Sequence, residues 1–134
     1  MATAPSLSGM SGKGRAPDVV LCRGCCCGTE DKHPDVDHSS QRTTFEQAAR
    51  ATGARLVIAD CLDACDRSNV VVVRPRGRGT PRPVWLGDVL EQDRTEAVVA
   101  WARAGGPGAA PLPAVLESCV FTPTRHNKQE LDEV

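Results

Sequence analysis

Arg55-Leu-Val-Ile-Ala-Asp-Cys-Leu-Asp-Ala-Cys65 is a short aliphatic run that ends on two cysteines with three residues between them. The run fits a buried strand, and its cysteines lie on the loop at the C-terminal end. The same order occurs upstream, where the β-branched stretch Asp18 to Leu21 delivers Cys22 at the head of Cys22-Arg-Gly-Cys-Cys-Cys-Gly28. Between the two runs lie a turn-rich stretch, Gly28 to Pro34, and a predicted helix. Asp37 caps that helix, Phe45, Ala48 and Ala49 recur on one face, and Gly53 supplies the stop. Strand, helix, strand over this length predicts a parallel βαβ unit with a right-handed crossover. Both cysteine groups then leave the same edge of the sheet, where open α/β sheets place their ligands.

Outward from this unit, Asn69 to Arg74 is the most strand-like run, and its four successive valines predict a central strand buried on both faces. A loop rich in Gly and Pro, 75–83, returns the chain to Val84-Trp-Leu86, expected as an antiparallel partner. A second helix is predicted from Asp93, with Glu96 as a capping-box partner, Ala97, Val98, Trp101 and Ala102 facing inward, and Gly105-Gly106 as the stop. The expected architecture is α/β, with a four-stranded mixed sheet. The division of the chain is a disordered leader at 1–16, a domain at 17–105, and a Pro/Gly-rich linker and tail at 106–134. Within that tail, 115–121 is an apolar segment expected to dock, and 126–134 is polar.

Composition removes several function classes. The 16 Lys and Arg nearly cancel the 17 Asp and Glu, and the only aromatics are Phe45, Phe121, Trp85 and Trp101, so no basic, aromatic-studded face for nucleic acid is expected. No apolar stretch is long enough to span a bilayer, and the N-terminus lacks the pattern of a secretory signal, so the reading is cytoplasmic with no membrane partner. In a reducing compartment cysteines stay as thiols unless they are catalytic or bind metal, which counts against a structural disulfide framework. There is no phosphate loop after a strand and no Ser-His-Asp order.

Six of the seven cysteines lie at the two predicted strand ends, as metal ligands, redox partners or a disulfide pair would. The element order and the cysteine placement, above all Asp60-Cys-Leu-Asp-Ala-Cys-Asp-Arg-Ser-Asn-Val-Val-Val-Val73, resemble the thioredoxin-like [2Fe-2S] ferredoxins and the related small subunit of respiratory NADH dehydrogenase. The resemblance covers roughly residues 17 to 103. It implies a thioredoxin-like fold and a [2Fe-2S] cluster held by Cys22, Cys27, Cys61 and Cys65. It further implies a non-enzymatic role in passing single electrons between redox partner proteins. The chain departs from the family in the run Cys25-Cys26-Cys27, which leaves Cys26 as the alternative to Cys27. Two other chemistries stay open: thiol-disulfide exchange through Cys22 and Cys25, with Pro83 before the last strand, and a structural zinc site. For a homodimer, the candidate surfaces are the uncovered sheet face and 115–121.

Other residues receive plainer readings. His33 and His38 suggest a Rieske-type ligand pair, but fit better as a turn residue and a polar residue of the first helical turn. Asp63 and Asp66 read as loop residues. Arg74, Arg76, Arg78 and Arg82 are solvated hairpin charges or a dock for an acidic partner. Cys119 reads as a lone buried thiol.

Overall fold

The computed structural model describes residues 16–24, 27–30, 32–77 and 79–134. The expected leader, apart from residue 16, lies outside the described residues, as do Cys25, Cys26 and Arg78. Strand β1 (Asp18–Cys22) pairs in parallel with β2 (Arg55–Ala59), and Cys22 lies opposite Ala59. Helix α1 (His38–Thr52) makes the crossover between them. The Asp37 side chain accepts a hydrogen bond from the Ser40 N–H at 2.9 Å, and Gly53 closes α1 in the left-handed conformation.

β3 (Val71–Arg74) runs antiparallel to β1, and β4 (Val84–Leu86) runs antiparallel to β3. β3 is therefore the central strand of a sheet in the order β2-β1-β3-β4-β5. The fifth strand corrects the four-stranded expectation: β5 (Val120–Phe121) pairs with β4. An unpaired β4 edge would leave its N–H and C=O groups without protein partners, and even a two-residue strand supplies some. Phe121 meets Trp85 edge-on, with ring centroids 6.0 Å apart.

Alternation along the strands sends side chains to two cores. Val19, Leu21, Val71, Val73 and Leu86 pack with Phe45 of α1 and with Val98, Trp101 and Ala102 of α2 (Gln92–Arg103). α2 begins at Gln92 rather than Asp93. Its N-cap, Glu91, makes no side-chain cap bond, while Glu96 accepts from Gln92 Nε2 at 3.0 Å, so the expected capping box is absent. The opposite face buries Val20, Cys22, Cys27, Leu62, Ala64, Val70, Val72 and Trp85 with Leu131.

Leu131 belongs to α3 (Arg125–Asp132), which forms where the sequence reads as a polar tail. Thr124 and Asn127 close a reciprocal capping box at its start. α3 thus lies on the sheet face expected to be bare. Before it, a 3₁₀ turn at Ala114–Cys119 buries Leu116 and Cys119, so 115–121 docks as expected. No helix among the described residues is long and apolar enough to cross a membrane.

Candidate functional site

The parallel pairing of β1 and β2 brings the two cysteine loops side by side. The Arg23 N–H donates to the Ala59 carbonyl at 2.8 Å, which extends the ladder past the strand ends. Gly24 and Cys27 exchange two backbone hydrogen bonds of 3.1 and 3.0 Å and fold the first loop back on itself. Gly24 sits at φ +140°, and a Cβ there would lie 2.1 Å from the Asp60 carbonyl oxygen. Only glycine lets the first loop come this close to the residue before Cys61.

Of the expected ligands, Cys22 and Cys27 are 2% and 1% exposed, whereas Cys61 and Cys65 are half-buried. The neighbouring Cys27 sulfur and burial push the Cys22 thiol up. Interaction with Cys22 draws Cys27 down to about 7, helped by the Val70 N–H and by the charges of Arg23 and Lys32, against burial. Sulfur-to-sulfur distance in the second pair, Cys61 to Cys65, is 3.7 Å. A tetrahedral metal with bonds of about 2.3 Å to sulfur spaces two thiolates about 3.8 Å apart. Backbone N–H groups are also in place: Asp63 N–H donates to Cys61 Sγ at 3.3 Å, and Val70 N–H to Cys27 Sγ at 3.4 Å.

The donor set therefore comes as two thiol pairs. Among the described residues, no three His, Cys, Asp or Glu side chains converge on one metal-sized point. A binuclear cluster held by four cysteines asks for two thiolates at each iron, and the paired arrangement fits that demand. Cys25 and Cys26, the first as the thiol-exchange partner and the second as the alternative ligand, lie outside the described residues.

Beneath the first loop lies a polar network that the sequence does not announce. Asn69, fully buried, accepts the Gly28 N–H through Oδ1 at 2.7 Å. Its Nδ2 donates to His38 Nδ1 at 3.0 Å and to Gln41 Oε1 at 3.3 Å. Gln41 also accepts from Arg23 at 2.9 Å and donates to the Val89 carbonyl at 2.8 Å. His38 donates through Nε2 to the His33 carbonyl at 3.0 Å, while His33 Nε2 pairs with Ser68 Oγ at 3.2 Å. Both ring nitrogens of His38 are thus engaged, in keeping with a structural reading of that residue. Lys32 Nζ donates to the Cys65 carbonyl and ties the segment after the first loop to the second.

The second loop is held from α3. Asn127 Nδ2 donates to the Leu62 and Asp63 carbonyls, each at 2.9 Å. His126 Nε2 lies 3.3 Å from the Asp63 carboxylate and 3.5 Å from that of Glu130. No signal in the sequence links Asn127 to the cysteines, because the two are far apart along the chain.

Two of the hairpin arginines are engaged elsewhere. Asp18, 1% exposed, is bound by Arg55 at 2.6 Å, Arg74 at 2.9 Å and Arg76 at 3.6 Å. Burial pushes the Asp18 carboxyl up, but hydrogen bonds and charge from Arg55 and Arg74 outweigh it and hold the group below its ordinary value. Cys119 is a core thiol, pushed up by burial. No protein-family model, curated protein or solved structure matches the chain.

Proposed function

We propose that the chain is an electron carrier of the thioredoxin-like ferredoxin type, with Cys22, Cys27, Cys61 and Cys65 holding a [2Fe-2S] cluster. The observation that carries this reading is the meeting of two thiol pairs at the ends of adjacent parallel strands, with Cys61 and Cys65 at a metal-chelating 3.7 Å. The order β2-β1-β3-β4, with β1 and β2 parallel and a β3–β4 hairpin followed by α2, supports the thioredoxin-like topology. A bound cluster supplies reversible one-electron chemistry at a potential set by charge, hydrogen bonds to sulfur and exposure.

The chain's own groups divide the remaining work. Cys27, drawn down to about 7, offers a thiolate near neutral pH. The Val70 and Asp63 N–H groups direct positive dipoles at sulfur. The two buried cysteines keep water from one side, and the half-buried pair leaves a short path to a redox partner on the other.

A second reading, thiol-disulfide exchange through Cys22 and Cys25, is disfavoured by the burial of Cys22, since an exchanging thiolate must be reached by its substrate. Anaerobic reconstitution with iron and sulfide tests the proposal. About two irons and two sulfides per chain are expected, with visible absorption that bleaches on uptake of one electron. A chain that binds only zinc, or that cycles a disulfide with no metal, overturns it.

A further inference from the structure

We infer that Asn127 is a positioning residue for the Cys61 ligand: from α3 it fixes the peptide unit whose N–H is aimed at the Cys61 sulfur. The effect on a cluster rests on the electron-carrier reading; the positioning itself does not. Leu62 C=O and Asp63 N–H are the two ends of one planar trans peptide unit, so holding the oxygen fixes where the hydrogen points. Asn127 Nδ2 holds that oxygen at 2.9 Å, and on the other side the N–H donates to Cys61 Sγ at 3.3 Å.

The orientation of the Asn127 amide follows from its other contacts. Its Oδ1 accepts the Thr124 N–H at 2.9 Å as part of the helix cap, so the NH₂ group must face the loop. The second Nδ2 bond, to the Asp63 carbonyl, grips a residue at φ +61°, a left-handed conformation uncommon outside glycine. The segment between Cys61 and Ala64 has neither helix nor strand to hold it. Its shape is imposed by a side chain 64 residues beyond Asp63.

The anchor is firm. Asn127 is 4% exposed, Leu131 one turn on packs with Cys22, Leu62 and Ala64, and Arg74 donates to the Leu131 carbonyl at 3.3 Å. An N–H donated to a ligand sulfur favours the more negative, reduced state of a cluster. Losing Asn127 then both frees the amide and lowers the potential.

Two variants separate positioning from helix capping. Asn127→Asp keeps an oxygen for the Thr124 N–H but removes both donations to the loop. Thr124→Ala weakens the cap and leaves the amide donations in place. The readout is hydrogen exchange of the Asp63 amide in the metal-free full chain, followed by NMR. The Asp63 amide is expected to exchange about tenfold faster in Asn127→Asp, the equivalent of one lost hydrogen bond, and to stay within about twofold in Thr124→Ala. Asn127→Ala, which adds no charge, is expected to repeat the acceleration. After reconstitution, Asn127→Asp is expected to shift the midpoint potential negatively. Unchanged Asp63 exchange in both Asn127 variants, or equal acceleration in Thr124→Ala, overturns the inference. Failure of the wild-type chain to take up iron and sulfide sinks the electron-carrier reading instead, and the exchange data still decide the positioning.

Discussion

The two cysteine loops are held in different ways. In the first, Cys22 and Cys27 are 2% exposed or less, and the loop is held from beneath by Asn69 and, through its own Arg23, by Gln41. The second is half-buried and gripped from the side by Asn127 of α3. One loop takes its shape from Asn69, just before β3, and from Gln41 of α1, and the other from the end of the chain. On the electron-carrier reading, the buried pair secures the metal while the half-buried pair faces the partner. Exposed thiolates lie in the higher dielectric, where added negative charge is better tolerated.

The sharpest way to break this contrast is to remove one thiol from each pair. Cys22→Ser and Cys61→Ser are both expected to reduce reconstituted iron to background, measured as iron and sulfide per chain. Cys27→Ser is expected to do the same; full loading there would move the second ligand to Cys26. Gly24→Ala comes next. It forces a methyl group into the Asp60 carbonyl and is expected to cost about 3 kcal/mol in denaturant unfolding, because neither backbone can easily give.

Asn69→Ala tests the grip beneath the first loop. Removing the acceptor of the Gly28 N–H and the donor to His38 and Gln41 leaves buried groups unpaired, with an expected cost of about 2 kcal/mol. Faster amide exchange is expected at Gly28 and not at Asp63. Asp18→Asn acts on β1 at the end away from the cysteines and serves as a control. The folded carboxyl lies below its unfolded value of about 3.9, so its contribution is complete above that pH and is lost as pH falls through the lower folded value. Replacement by Asn is expected to cost about 1.5 kcal/mol at neutral pH and to flatten the acid limb of the stability curve, with both loops unchanged. The smallest effect is expected for Asp63→Gly, under about 1 kcal/mol by thermal unfolding, since glycine accepts φ +61° without strain.

Legibility in the sequence followed the periodicity. β1, α1, β2 and the β3–β4 pair were readable because aliphatic runs, an Asp cap and a glycine stop each act within a few residues. β5 escaped because two residues carry no period. α3 escaped because Leu131 is the one buried apolar residue on it, and its docking depends on Asn127 bonds to a distant loop. The capping box expected at Glu96 failed for a local reason: the helix starts one residue earlier, and Gln92 takes the carboxylate. Of the candidate site, the strand-end cysteines were legible, and the network of Asn69, His38, Gln41 and Arg23 was not. Those polar residues are spaced through loops and a helix face with no motif of their own.

By itself, the sequence determined that two cysteine groups end two strands joined by a helix, since strand and helix propensities and their stops are local properties. Only the tertiary structure decided which thiols pair, which pair is buried, and what holds each loop. Those outcomes depend on where a buried amide from β3's approach and another from the C-terminal helix come to rest, and neither position is set by neighbours along the chain.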